Sequence, residues 1–287
     1  MTALKYVTVQ MTNGFGNNIF QWTAARLLGA HLGYPTYALP PTPDYYGIAD
    51  LEALGVVFFP DMDDSHNLYP SDLVTVNDDN FMQTFQLGRT HRRYHLSGYF
   101  EDYRYYFNNL DLIRSWYPAV ESRKDKALVL HMRTGDRLFM KNEFYTKPRA
   151  ENYLKAIETF DFDEFHIVTD MPRWEKVTAE DLQNMRFHVD TPPENRVPIA
   201  DSVNYFNELV DTFTQFNPQV QRRSVGEDFT FIRKSKNILF EHGTLSWWAA
   251  ALSDADRVGV YGPWRPWKGK SNKNLSQIPL DNWFKWE

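Results

Sequence analysis

The feature that most constrains this chain is a recurring unit: a short apolar run that stops on Arg, Asp or Gly and gives way to a helical pattern. Ala127–Met132 stops on Arg133-Thr134-Gly135-Asp136, Phe165–Thr169 on Asp170, and Asn237–Phe240 on Glu241-His242-Gly243-Thr244, with a further run at Arg257–Tyr261. Runs this short are strand length, and helical patterns over Arg149–Phe160 and Leu245–Leu252 lie between them. Strands alternating with helices predict a parallel α/β sheet. Ligands of such sheets lie beyond the carboxyl ends of the strands. Arg133, Asp170 and Gly243-Thr244 all fall at such ends.

The amino-terminal part reads similarly but less completely. Lys5–Met11 predicts a strand, Thr12–Asn18 a glycine-containing turn, and Ile19–Leu32 a helix that ends at Gly33 and Pro35. Pro40–Asn80 is rich in Pro and Asp and gives no clear period. Tyr103–Trp116 predicts a helix stopped by Pro118. The charged break Glu121–Lys126 places a domain boundary there, giving domains 1–122 and 123–287. A chain of 287 residues, 43% hydrophobic, is long enough for two domains of ordinary size.

Composition removes several function classes. There is no cysteine, which excludes a disulfide scaffold, a thiolate nucleophile and a cysteine zinc site, and fits a reducing compartment. The net charge is -6 and no Lys/Arg block occurs, so nucleic acid is not an expected partner. Met1–Met11 is too short and polar for a signal peptide. No apolar run approaches the roughly 20 residues of a membrane span. The expectation is a soluble protein without an integral membrane segment. The single sequon, Asn274-Leu275-Ser276, then reads as chance.

Three segments carry candidate chemistry. In Gly14-Phe15-Gly16-Asn17-Asn18-Ile19, the glycines admit close backbone approach and the following helix start favours anions, but the segment reads equally as an ordinary strand-to-helix turn. It is not a dinucleotide fingerprint, because Ile19 holds the third glycine position. In His131-Met132-Arg133-Thr134-Gly135-Asp136, an arginine at a strand end can fork two donors onto a phosphate, or form a surface pair with Asp136. In His242-Gly243-Thr244-Leu245, strand, glycine, hydroxyl and helix make a phosphate cradle, with Thr244 as cap or phosphate contact. Trp247 and Trp248 read as packing. Asp61-Met62-Asp63, Asp161-Phe162-Asp163 and Asp254-Ala255-Asp256 each match a loose Asp-x-Asp metal pattern. Three matches in an acidic chain read as solvated turns.

In this order, the segments resemble the α-1,2-fucosyltransferases and, more remotely, the protein O-fucosyltransferases. The resemblance is carried by Asn13–Gln21, by Leu96–Glu101 with Tyr106-Phe107, by His131–Asp136, by Asn152–Ile157, by Ile167–Asp170 and by Thr244–Ala250. It implies a two-lobed, Rossmann-like α/β glycosyltransferase fold of the GT-B type, with a donor cleft between the lobes. It implies an inverting transfer of fucose from GDP-fucose to a hydroxyl of a glycan acceptor, with no cofactor and no metal. By the same resemblance, Arg133 would hold the β-phosphate and Thr244 would contact phosphate. His131 and Asp228 would contact guanine, and Asp170, Gly14 and Gly16 would line the donor. Asn17 would position the reacting hydroxyl, and the nearby carboxylates Asp136 and Glu143 are the candidate bases. Thr134, Asn18 and Glu241-His242-Gly243 depart from the family pattern, and another nucleotide-sugar donor stays open. So does a non-catalytic nucleotide-sugar or glycan-binding protein. The lack of a membrane anchor points to the cytoplasm of a bacterial or virus-infected host cell.

Overall fold

The computed structural model describes residues 5–12, 14–42, 44–59, 73–87, 89, 93–141, 147–221, 223–241, 243–262 and 280–287. The chain divides into two compact units, Met1–Ala119 and Val120–Glu287. The sequence reading puts the break a few residues later, after residue 122.

Among the described residues of the first unit, the elements are β1 (Tyr6–Gln10), α1 (Phe15–Leu32), β2 (Thr36–Leu39), α2 (Ile48–Ala53), β3 (Leu73–Val76), α3 (Phe81–Thr84), β4 (Arg93–Leu96) and α4 (Leu110–Arg114). The strands form one parallel sheet in the order β2-β1-β4-β3. β1 is buried over Tyr6–Val9, the pattern of a central parallel strand covered on both faces. α1 buries residues on all its sides, from Phe15 and Ile19 to Trp22, Leu28 and Leu32. It ends in a left-handed Gly33 (φ 70°), after which the Tyr34 N–H donates to Gly29 O at 2.9 Å. Gly29 lets β2 approach the helix, since a Cβ there would lie 2.1 Å from Thr36 Oγ1.

Two expectations change in this unit. α1 begins at Phe15 rather than near Ile19, so Gly16 and Asn17 lie in its first turn. The helix can start early because the Thr12 N–H is held by side chains, Asn18 Oδ1 at 3.1 Å and Gln21 Oε1 at 3.2 Å. The segment Tyr103–Trp116 is not one helix but two 3₁₀ turns, Tyr103–Tyr105 and Phe107–Asn109, followed by α4. The Tyr105 hydroxyl donates to Asp78 O at 3.0 Å and that of Tyr106 to Phe100 O at 2.6 Å, which pins the backbone in the tighter turns. Phe100 itself sits at φ 54°, an unusual conformation for an aromatic residue. It is held there by its N–H on Asp78 Oδ1 at 2.7 Å.

The described elements of the second unit are β5 (Ala127–Met132), α5 (Ala150–Ile157), β6 (Glu164–Thr169), α6 (Ala179–Gln183), α7 (Arg186–Asp190), α8 (Ile199–Thr214), β7 (Gln219–Gln221), α9 (Val225–Arg233), β8 (Asn237–Phe240), α10 (Thr244–Ala251), β9 (Arg257–Tyr261) and β10 (Trp283–Trp286). All the strands are parallel, in the order β10-β9-β8-β5-β6-β7. From β5 the chain builds outward to β6 and β7, then returns to place β8 on the other side of β5. The sheet therefore has its topological switch point between β5 and β8, where a crevice opens at the carboxyl ends. α8 is amphipathic and buries Phe206, Leu209, Val210 and Phe213. Tyr153, Phe165, Phe213 and Trp286 fill the core beneath it. Trp247 and Trp248 are fully packed, edge to face at 5.0 Å.

Candidate functional site

The carboxyl ends of β5, β6 and β8 bring together most of the predicted donor residues. His131 is the next-to-last residue of β5, and its Nδ1 is hydrogen-bonded to Ser246 Oγ in the first turn of α10. Burial, then the guanidinium groups of Arg133 and Arg137, push the His131 pKa down to about 3, so the ring is neutral at pH 7. Gly243 lies against the same ring, because a Cβ there would sit 3.8 Å from His131 Cε1. The β5 end and the β8–α10 turn are thus joined directly across the switch point. The N-cap of α10 is Gly243, which has no side chain to bond the first-turn amides. Thr244 is the first residue of that helix.

Arg133 emerges just past β5 and forks onto Asp136, Nε to Oδ1 at 3.3 Å and Nη2 to Oδ2 at 3.1 Å. Both side chains keep solvent access, 43% and 30%. The guanidinium that would take a phosphate is therefore oriented by Asp136. Thr134 turns the other way: it is buried, and its hydroxyl is 2.7 Å from that of Thr169 in β6. An arginine at this position would have to displace the Thr169 contact. Asp170 accepts the Gly135 N–H at 2.6 Å. A Cβ on Gly135 would lie 2.6 Å from Asp170 Oδ2 and from the Phe187 ring, so the glycine is what lets the loop close on β6. Protein packed around the Asp170 carboxylate raises its pKa, against the Gly135 N–H and Arg133, although the residue keeps an exposed surface.

Asp228 is on α9, which packs on α10. A capping box sets α9: Ser224 Oγ accepts the Glu227 N–H at 3.2 Å and Glu227 accepts the Ser224 N–H at 2.8 Å. Asp228 follows directly, half-buried, and burial pushes its pKa up to about 7. Its Oδ1 is buried and has no hydrogen-bond partner among the described residues. In the first unit, Gly14 caps α1, and the Asn17 amide packs over it, 3.1 Å from where a Cβ would stand. Gln21 Nε2 donates to Gly98 O at 2.8 Å, tying α1 to the loop after β4. Asn18 and Gln21 are thus structural ties.

One group was missed by the sequence. Glu241, one residue past β8, is buried and accepts the Tyr153 hydroxyl. Burial raises its pKa to about 7, opposed by Arg137, the Tyr153 hydroxyl and Lys147, and reinforced by Asp170. Arg137 is itself buried, and burial lowers the Lys147 pKa to about 8. The only sequence signal was a glutamate directly after an apolar strand.

Glu143, His242, Asp61-Met62-Asp63 and Asn274-Leu275-Ser276 lie outside the described residues. Asp161 pairs with Lys126 at 2.7 Å, and Asp256 faces Lys236 at 3.5 Å, so these two Asp-x-Asp elements are turns with lysine partners. Among the described residues, no group of three or more His, Asp or Glu is placed to hold a metal ion, and no helix is long and apolar enough to cross a membrane.

No protein-family model matches the sequence, and no curated protein matches it. Among solved structures, the chain is similar to an Arabidopsis thaliana FUT1 mutant in complex with GDP, at 13% identity and a TM-score of 0.44, covering 91% of this chain and 71% of that one. It is also similar to NodZ alpha-1,6-fucosyltransferase soaked with GDP-fucose, at 11% identity and a TM-score of 0.37, covering 89% of this chain and 94% of that one. Both similarities are distant.

Proposed function

We propose that the chain is a glycosyltransferase of the two-lobed GT-B type that transfers fucose from GDP-fucose to a hydroxyl of a glycan acceptor, with inversion and without a metal. The observation that carries this reading is the contact across the switch point of the second unit. His131 and Ser246 bind the Arg133 loop to the Gly243-Thr244 helix start, so a guanidinium and a set of helix amides face one crevice. That pairing suits a diphosphate. Asp228 supports the guanine assignment, because its carboxylate has an unfilled acceptor, buried in the free chain, that on turning toward a ligand would match the two adjacent N–H donors of a guanine edge. GDP and GDP-fucose in the two similar structures agree with this reading.

In this reading the acceptor hydroxyl loses its proton while the anomeric carbon is attacked opposite the leaving GDP. Arg133 and the α10 amides neutralise the departing charge, as fixed donors do. Asp136 and Glu143 are the candidate bases, and Asn17 positions the acceptor. Asp136 is committed to Arg133, which suits an orienting role as well as a basic one. The test is transfer from GDP-fucose, with and without EDTA, by the wild-type chain and by the Asp136→Asn and Glu143→Gln variants. Turnover persists in EDTA, and one carboxylate variant loses roughly 10²–10⁴-fold. Activity abolished by EDTA and restored by Mn²⁺ overturns the metal-free mechanism and directs attention to Asp61-Met62-Asp63. GDP binding without transfer or donor hydrolysis makes the chain a binding protein instead.

A further inference from the structure

The first unit holds a cavity of about 280 Å³ lined by Trp22, Arg26, Tyr34, Thr36, Val57 and Trp116. Trp22 and Arg26 lie one turn apart on α1, and Thr36 is the first residue of β2. The cavity is therefore at the amino end of β2, whereas the Gly14 turn is at the carboxyl end of β1, at the opposite end of these parallel strands. The two are separate places.

Arg26 is the unusual member. It is half-buried, and its Cζ lies 4.8 Å from the centre of the Trp116 ring. Its Nη1 donates to Trp116 O at 3.3 Å. Burial lowers its pKa, with only the Tyr117 phenol opposing and no carboxylate among the described residues contributing. A guanidinium partly removed from water gains most from an anion that takes two of its donors. Around it stand two indoles and a phenol, with the Thr36 hydroxyl held in place by its packing on Gly29. Aromatic faces suit the C–H face of a sugar ring, and a hydroxyl suits its rim. The volume lies just under the roughly 300–1,000 Å³ of pockets that enclose drug-sized ligands, so it fits a single ring.

We infer that this cavity binds a carboxylate-bearing sugar ring of the uronic acid type, with the carboxylate on Arg26 and the ring beside the partly exposed Trp116, the buried Trp22 and Tyr34 forming the wall behind it. The inference does not depend on the nucleotide-sugar reading.

The experiment is calorimetric titration of the full chain with three probes: D-glucuronate, D-glucose and benzoate. D-Glucuronate binds with a millimolar or tighter Kd, D-glucose at least tenfold more weakly, and benzoate more weakly than D-glucuronate. Arg26→Met reduces D-glucuronate affinity roughly 10- to 100-fold, the loss of one or two charge-assisted hydrogen bonds. Its thermal unfolding reports whether the unit remains folded; if it does not, Arg26→Lys, which keeps the charge but loses the fork, carries the same comparison. Absence of D-glucuronate binding overturns the site, as does undiminished binding by a folded Arg26 variant. Equal affinity for D-glucose overturns the anion assignment, and tighter binding of benzoate overturns the sugar.

Discussion

Replacing Arg133 with alanine weakens GDP binding roughly 100-fold or more while leaving the fold intact. Arg133 stands just past β5 with its Nε and Nη2 already aligned as a fork on Asp136, and 43% of the side chain reaches solvent. A diphosphate oxygen in the crevice offers the same geometry. Charge-assisted hydrogen bonds contribute about 1.5–3 kcal/mol each, and about 1.4 kcal/mol is tenfold in affinity. Losing one or two bonds accounts for the effect. Lysine restores the charge without the fork, so Arg133→Lys recovers only part of it. Because the exposed Arg133–Asp136 pair is worth little to stability, the melting temperature changes only slightly. Calorimetry on both variants checks this. GDP affinity unchanged in Arg133→Ala shows that the nucleotide binds elsewhere.

The second large effect is on stability, and it comes from Glu241. This glutamate is buried, with a pKa raised from 4.5 to about 7 chiefly by burial. The sign follows from proton binding. Between pH 4.5 and about 7 the folded state holds a proton that the unfolded state has lost, so the group's contribution falls as pH rises through that window. At about 1.4 kcal/mol per pH unit, the interval amounts to about 3 kcal/mol. His131 acts in the opposite direction. Its pKa falls from 6.5 to about 3, so its cost is greatest at low pH and fades as pH rises. Asp228, raised by burial to about 7, acts in the same direction as Glu241, so the wild-type profile sums several groups and the informative quantity is a difference. Glu241→Gln mimics the protonated acid and can still accept the Tyr153 hydroxyl. Relative to the wild type it gains about 3 kcal/mol between pH 4.5 and pH 8, read from urea unfolding at both values. A constant difference between the two chains across this range means that Glu241 is ionised throughout.

What the sequence revealed follows from where the physics is local. β5, β8 and β9 are continuous apolar runs because both faces of a parallel sheet are covered, and their limits were read directly as Ala127–Met132, Asn237–Phe240 and Arg257–Tyr261. β2, β3 and β4 are four residues each, with only one or two buried positions apiece, and left no comparable run. The early start of α1 depends on Asn18 and Gln21 reaching back to the Thr12 amide, which no periodicity records. The breaking of Tyr103–Trp116 into turns depends on hydroxyl bonds to Asp78, remote in sequence, and to the left-handed Phe100 just upstream, which no periodicity records. In the second unit, Arg133 and the Gly243-Thr244 turn were legible because loops after parallel strands face one crevice. The inward turn of Thr134 and the joining of Glu241 to Tyr153 were not, because each is decided by a partner on another element.

The central claim is that the second unit reads a guanine nucleotide. The most direct measurement is calorimetric titration of the chain with GDP and UDP at pH 8, above the pKa of about 7 at which Asp228 ionises. GDP binds more tightly than UDP, by tenfold or more, because the buried Oδ1 of Asp228 finds a donor on guanine that uracil does not present in the same place. In Asp228→Asn that preference disappears while the diphosphate contribution remains. UDP binding as tightly as GDP, or a guanine preference that survives Asp228→Asn, contradicts the account.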